Sequence, residues 1–132
     1  MLTEKERTKL FIYAKRASKM SYCPYSKFAV GAAVLTNKNK IYLGANIENA
    51  SYGLTLCAER VAICNAISNG FRNIIAVAVA AKRGEASPCG ACRQFILEFG
   101  KNIEVIFKKN NELVSETIEE LIPKAFTKGN LK

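Results

Sequence analysis

The sequence predicts an α/β fold, a three-layer α/β/α sandwich with a mixed central sheet and helices on both faces. Three observations predict it. Helix-period and strand-length segments follow one another in the order α-β-β-α-β-α-β-(β)-α, and helices between strands cover a sheet on both sides. Residues 74–81, IIAVAVAA, form an unbroken run of β-branched and small apolar residues, the pattern of a strand buried on both faces. The chain has 132 residues, 49% of them hydrophobic, which suits one domain over 1–132 with one packed core.

Each element has its own signal. Thr3 with Glu6 three residues on is a capping-box pattern, and Leu10, Tyr13, Ala14 and Ala17 recur at helical spacing, so a first helix is expected to about Met20. SYCPYSK breaks it, with Pro24 in a loop. Phe28 to Leu35 is strand-length and apolar, TNKNK is a turn, and IYLGANIEN reads as the return strand of a hairpin. A second helix is expected near Cys57 to Asn69, stopped by Gly70. Ser87 as N-cap and Pro88 at the first position open a third helix that ends at Gly100. IEVIF is a strand, and Leu113-Val114 suggests another short one. A last helix is expected in SETIEELI with Ser115 as N-cap. The residue three on is Ile118, so no full capping box is expected, and Pro123 ends the helix. The tail TKGNLK is expected to be loose.

Composition narrows the function. No apolar run approaches the ~20 residues that span a bilayer, so no membrane association is expected. The N-terminus MLTEKERTKL lacks a signal peptide's apolar centre, and a cytoplasmic protein is expected. Five cysteines in a reducing compartment suit metal binding or catalysis better than a disulfide framework. The net charge of +9 would suit nucleic acid. The cations are scattered, however, and no basic stripe is interleaved with aromatics, so nucleic acid is disfavoured as the natural substrate. With no histidine in the chain, neither proton transfer nor metal binding can use imidazole.

One constellation carries chemistry. Cys89 and Cys92 lie three apart at a helix start and share a face. Two thiolates on one zinc ion fit that spacing, and so does a thioredoxin-type redox pair. Cys57 opens the preceding helix. Two helix N-termini converging there would form a three-cysteine site, and three ligands leave zinc an open position, as in catalytic sites. Cys64 is two turns after Cys57, ~10.5 Å along the axis, and reads as a small core residue. Cys23 has no evident partner. Glu59 can approach the same point as Cys57 only if Cys57 sits at the helix cap, and Thr55 competes for that position. Otherwise Glu59 is an exposed acid near a helix dipole. Beside three candidate ligands it reads as the proton carrier that an attacking water requires.

CAER followed about thirty residues later by PCGACRQ resembles the zinc-dependent cytidine deaminase family, whose signature is [H/C]-x-E…P-C-x-x-C. YCPYSKFAVGAAV, GANIENASYG and LIPKAF extend the resemblance over nearly the whole chain. It is similar to the short, all-cysteine branch, whose members are homotetramers. The resemblance implies one Zn²⁺ per chain on Cys57, Cys89 and Cys92, with Glu59 shuttling protons as cytidine or 2′-deoxycytidine becomes uridine or 2′-deoxyuridine plus ammonia in pyrimidine salvage. It implies that Arg60 hydrogen-bonds the thiolates and offsets their charge; a surface salt bridge is the plainer reading. Asn46 and Glu48 resemble a ribose-binding pair, against the plainer reading of a polar strand end. Phe28 resembles the aromatic that stacks on the pyrimidine, against a core residue. Phe126 resembles one that closes a neighbouring subunit's site. A blasticidin-type deaminase is the nearest alternative, which NIENASYG disfavours, and a structural zinc module without catalysis is the alternative from another class.

Overall fold

The computed structural model describes residues 1–131. Helix α1 (Glu4–Ala17) starts at Thr3, whose hydroxyl accepts from Glu6 N while the Glu6 carboxylate accepts from Thr3 N. A 3₁₀ turn over Ser18–Met20 extends it. Then come β1 (Val30–Thr36), β2 (Ile41–Ala45), α2 (Ala58–Ser68), β3 (Ile74–Ala81), α3 (Gly90–Leu97), β4 (Glu104–Lys109), β5 (Glu112–Thr117) and α4 (Ile118–Leu121). The sheet order is β2-β1-β3-β4-β5. The β3–β4 pair is parallel and the other neighbours are antiparallel.

The three layers follow from strand periodicity. On β1, Ala33 and Leu35 face α1, whose Leu10 and Ala14 pack there with Ala76, Ala78 and Ile106. Ala32 and Val34 face the other way, against Ala62 and Ile63 of α2, Ile96 of α3 and Ile118 of α4. The helices sit close to the sheet at two glycines. A Cβ on Gly31 would lie 2.0 Å from Ala14 O of α1, and one on Gly44 would lie 2.3 Å from Ala62 N of α2. These helix backbones occupy the space a side chain would need.

Several boundaries differ from expectation, each for a local reason. Strand β1 starts at Val30, not Phe28. The preceding chain turns at Lys27, which has φ 60°, and the Phe28 carbonyl is taken by Asn46 Nδ2. The return strand ends at Ala45, so Asn46 and Glu48 lie beyond it, with Ile47 bridging to Tyr22 and Leu56. Helix α3 is capped by Cys89, whose extended backbone (φ −70°, ψ 171°) makes it the last non-helical residue; Ser87 and Pro88 precede the cap. Ser115 is not a cap. It lies in β5, where it donates to Glu104, and the β4–β5 ladder runs on to Thr117. Thr117 caps α4 with Glu120 at the third position, a full capping box. Cys64 is exposed, not in the core, because α2 buries its Ala62, Ile63 and Ala66 side instead. In the tail expected to be loose, Lys128–Leu131 form a 3₁₀ turn that Asn130 Oδ1 closes onto Thr127 N; Lys132 lies outside the described residues.

A buried carboxylate ties the termini of these layers together. Glu104, on β4 and only 4% exposed, pairs with Arg7 of α1 and accepts from Ser115 of β5 and from Leu2 N. Burial opposes its ionisation, but the hydrogen bonds from Ser115, Arg7 and Leu2 outweigh burial and hold its pKa below the ordinary value. A depressed folded-state pKa gives stability that is complete above the unfolded carboxylate pKa and lost as pH falls through the folded value. Glu104→Gln is expected to cost about 2–3 kcal/mol at pH 7, with the difference from wild type narrowing in strong acid. Urea unfolding at the two pH values measures it, and equal midpoints at pH 7 would remove Glu104 from this role.

Candidate functional site

Cys57 caps α2 and Cys89 caps α3, both with extended backbone, and neither side chain makes a capping hydrogen bond. Their sulfurs are therefore free to point elsewhere. Cys92 lies in the first turn of α3 and is buried. The three sulfurs lie within 4.8 Å of one another. Sulfurs on a tetrahedral zinc, with Zn–S near 2.3 Å, are about 3.8 Å apart, so one ion fits the cluster after a small contraction. Among the described residues no other group of three such side chains is gathered in this way.

The surroundings favour thiolate charge. Two helix N-termini point at the cluster, and each favours an anion. Arg60 Nη2 donates to Cys57 Sγ at 3.3 Å and to Thr55 O at 3.4 Å. Hydrogen bonding from Cys92, then from Arg60, holds the Cys57 thiol well below its ordinary pKa. The same bond to Cys57 keeps the proton on Cys92 and raises its pKa. The buried Nε of Arg60 has no hydrogen-bond partner, so the guanidinium gives up hydration to stay beside the sulfurs. That cost is sensible where it faces net negative charge, which is what three thiolates around one divalent ion carry. The donor set therefore fits zinc in both geometry and charge.

Because Cys57 is the cap, Glu59 occupies the first turn and reaches the same pocket. The Thr55 alternative for the cap does not hold. Glu59 is 4% exposed. Burial, the largest influence, and the Cys57 sulfur raise its pKa to about 7. A carboxyl in that range can both take and give a proton near neutral pH.

A pocket of about 390 Å³ opens over these groups. Its wall includes Phe28, Asn46, Glu48, Cys57, Glu59 and Cys89, and Phe28 is 44% exposed, not a core residue. Asn46 and Glu48 are already engaged by their own chain. Asn46 Oδ1 accepts from Val30 N and from the Ser21 hydroxyl, while its Nδ2 donates to Phe28 O. One Nδ2 hydrogen remains for a ligand. Glu48 accepts from Tyr25 N, Ser26 N and the Ser26 hydroxyl, and the Ser26 hydroxyl bond lowers its pKa. Both residues hold the loop that presents Phe28.

Phe126 lies elsewhere. It is 60% exposed, does not line this pocket, and its carbonyl accepts from Gln94 Nε2 at 2.9 Å. Sequence reasoning missed Ser26, Glu85 and Arg93. Ser26 and Glu85 line the pocket. Arg93 fixes the ligand turn, donating from Nε to Pro88 O at 2.9 Å and from Nη1 to Leu121 O at 2.8 Å. Its position directly after Cys92 was the available signal.

Three sulfur donors and a buried carboxylate on a five-stranded α/β/α sandwich define a class of protein that holds one metal ion beside an acid–base group. The family model of the cytidine and deoxycytidylate deaminase zinc-binding region matches residues 4–109, and the chain belongs to the cytidine and deoxycytidylate deaminase family. It is 45% identical over 126 residues to a cytidine deaminase of Sporosarcina psychrophila, covering 93% of each chain. A cytidine deaminase structure from Burkholderia pseudomallei superposes with a TM-score of 0.85 at 41% identity, over 95% of this chain and 100% of that one. A more distant relative is a blasticidin-S deaminase of Bacillus cereus, 38% identical over 113 residues, 79% of this chain and 81% of that one.

Arg60→Ala is expected to weaken zinc retention about 10–100-fold while leaving the fold intact. Competition with a zinc chelator, alongside circular dichroism, measures this. Unchanged retention in a folded variant would separate Arg60 from the cluster.

Proposed function

We propose that this chain is a cytoplasmic, single-domain deaminase that converts cytidine and 2′-deoxycytidine to uridine and 2′-deoxyuridine, with one zinc ion on Cys57, Cys89 and Cys92. The observation that carries the reading is the buried Glu59 carboxylate in one pocket wall with Cys57 and Cys89, two members of the three-sulfur cluster. A purely structural zinc site gives no reason to bury an acid at its edge. Among the described residues no helix is long and apolar enough to cross a membrane.

When bound, zinc supplies the Lewis acidity that lets water lose a proton near neutral pH. Glu59 takes the proton of the attacking water, carries it to ring nitrogen N3, and helps protonate the amino group that leaves as ammonia. Water adds at C4, so cytidine and water give uridine and ammonia. Phe28 stacks on the pyrimidine, and Asn46 and Glu48 meet the sugar with their remaining hydrogen-bonding capacity. The wall of the pocket includes Glu48, Glu59 and Glu85 and no lysine or arginine. Such a wall favours a neutral nucleoside over a nucleotide or a polynucleotide strand.

The chain assembles as a homotetramer in this reading. Tyr22, Tyr52, Leu54 and Leu56 are exposed apolar side chains, and exposed apolar surface marks association. Phe126 then closes a neighbouring subunit's pocket. The blasticidin-type alternative draws support from the Bacillus cereus relative, and comparing turnover of the two nucleosides decides between them.

Glu59→Gln is expected to keep about one zinc per chain and lose at least ~10²–10⁴-fold in cytidine turnover. Retained activity, or a folded wild type that turns cytidine over without zinc, would overturn the reading. Phe126→Ala is expected to raise KM for cytidine severalfold with the tetramer mass unchanged, measured by kinetics and light scattering. An unaltered KM would exclude Phe126 from the site.

A further inference from the structure

A second concavity lies on the opposite side of the segment that carries Phe28. Residues 26, 28 and 30 line the site pocket, whereas Lys27, Phe28 and Ala29 line a pocket of about 290 Å³ behind it. Lys82 N donates to Ala29 O, which brings the end of β3 alongside. The rear pocket is bordered by Lys19, Lys27, Lys82 and Arg83, with Cys23 and Ser21 also in its wall, and by no carboxylate. Among the described residues none of these four cations is in a salt bridge, and the ion pairs are Arg7–Glu104 and Lys128–Glu98.

Four like charges around a small concavity repel one another; Lys27 feels the Glu48 carboxylate on its other side, but no carboxylate lines the concavity itself. One of them also carries a strained backbone. Lys27 has φ 60°, a left-handed conformation that costs a non-glycine residue roughly 1–2 kcal/mol. Glycine or asparagine would relieve it, yet a lysine stands there and contributes its charge to the pocket. Strain of this sort points toward function when other observations agree. The chemistry then defines the ligand. A monoanion such as a carboxylate offsets only one of four charges, whereas a phosphate or pyrophosphate group offers two or more, with several acceptor oxygens for lysine and arginine donors.

We propose that the pocket behind Phe28, formed by Lys19, Lys27, Lys82 and Arg83, is a binding site for phosphate groups, separate from the nucleoside pocket. The site stands independently of the deamination reading, since its test is binding.

The test titrates zinc-loaded protein with inorganic pyrophosphate and, separately, with uridine 5′-monophosphate, by calorimetry at constant ionic strength. Saturable binding of about one ligand per chain is expected, at least tenfold weaker in Lys82→Gln/Arg83→Gln. Tighter binding of pyrophosphate identifies a free phosphate ligand, and tighter binding of the monophosphate identifies a nucleotide. Location has its own readout. In a Cys64→Ser background, pyrophosphate is expected to slow alkylation of Cys23, and to lose that effect when Lys82 and Arg83 are also replaced. Absence of saturable binding, affinity unchanged in the double variant, or equal protection by any salt at matched ionic strength would overturn the proposal.

Discussion

Three sulfurs held within 4.8 Å repel one another once they ionise, and the local structure is organised around making that tolerable. Each of two helices donates its N-terminus, because Cys57 and Cys89 are the cap residues themselves. Arg60 then sits one turn into α2, near enough to bond Cys57. The arrangement depends on α2 lying hard against the sheet. Gly44 allows this, since any side chain there would meet the α2 backbone at Ala62 and Ala58. A methyl group on β2 would thus be felt at the metal ligands through the helix they cap.

The cap position also explains how Glu59 serves the site. On a continuous helix, residues two apart diverge by about 200°. The change from extended to helical backbone at Cys57 removes that conflict. It buries the carboxylate beside the sulfurs, and burial raises its pKa. One local backbone feature therefore sets both where the acid sits and when it carries a proton.

The elements readable from sequence were those whose signal is local. The Thr3–Glu6 box, the 74–81 run and the Cys89/Cys92 spacing each need only neighbours a few residues away. What was missed depends on distant partners. Ser115 resembles a cap until Glu104, eleven residues back, claims its hydroxyl. Cys64 sits among Val61, Ile63 and Ile67 in sequence, but α2 turns it outward. Asn46 and Glu48 are visible as polar residues at a strand end. Their hydrogen bonds to the Ser21–Val30 segment come from loop closure, which no spacing rule encodes.

That loop also separates two regions of opposite charge. The pocket in front of Phe28 carries Glu48, Glu59 and Glu85, and the concavity behind it carries four cations. Ser21 lies in the wall of the rear pocket and donates to Asn46, which in turn holds the Phe28 carbonyl. Phe28, which lines both concavities, is thus suspended between the two regions. The net charge of +9 is consequently a poor guide to what the site admits. Fields focus in concavities, so local sign decides which ligand enters. In the proposed reading the acidic front wall suits a neutral nucleoside, and phosphate groups go to the basic surface behind it.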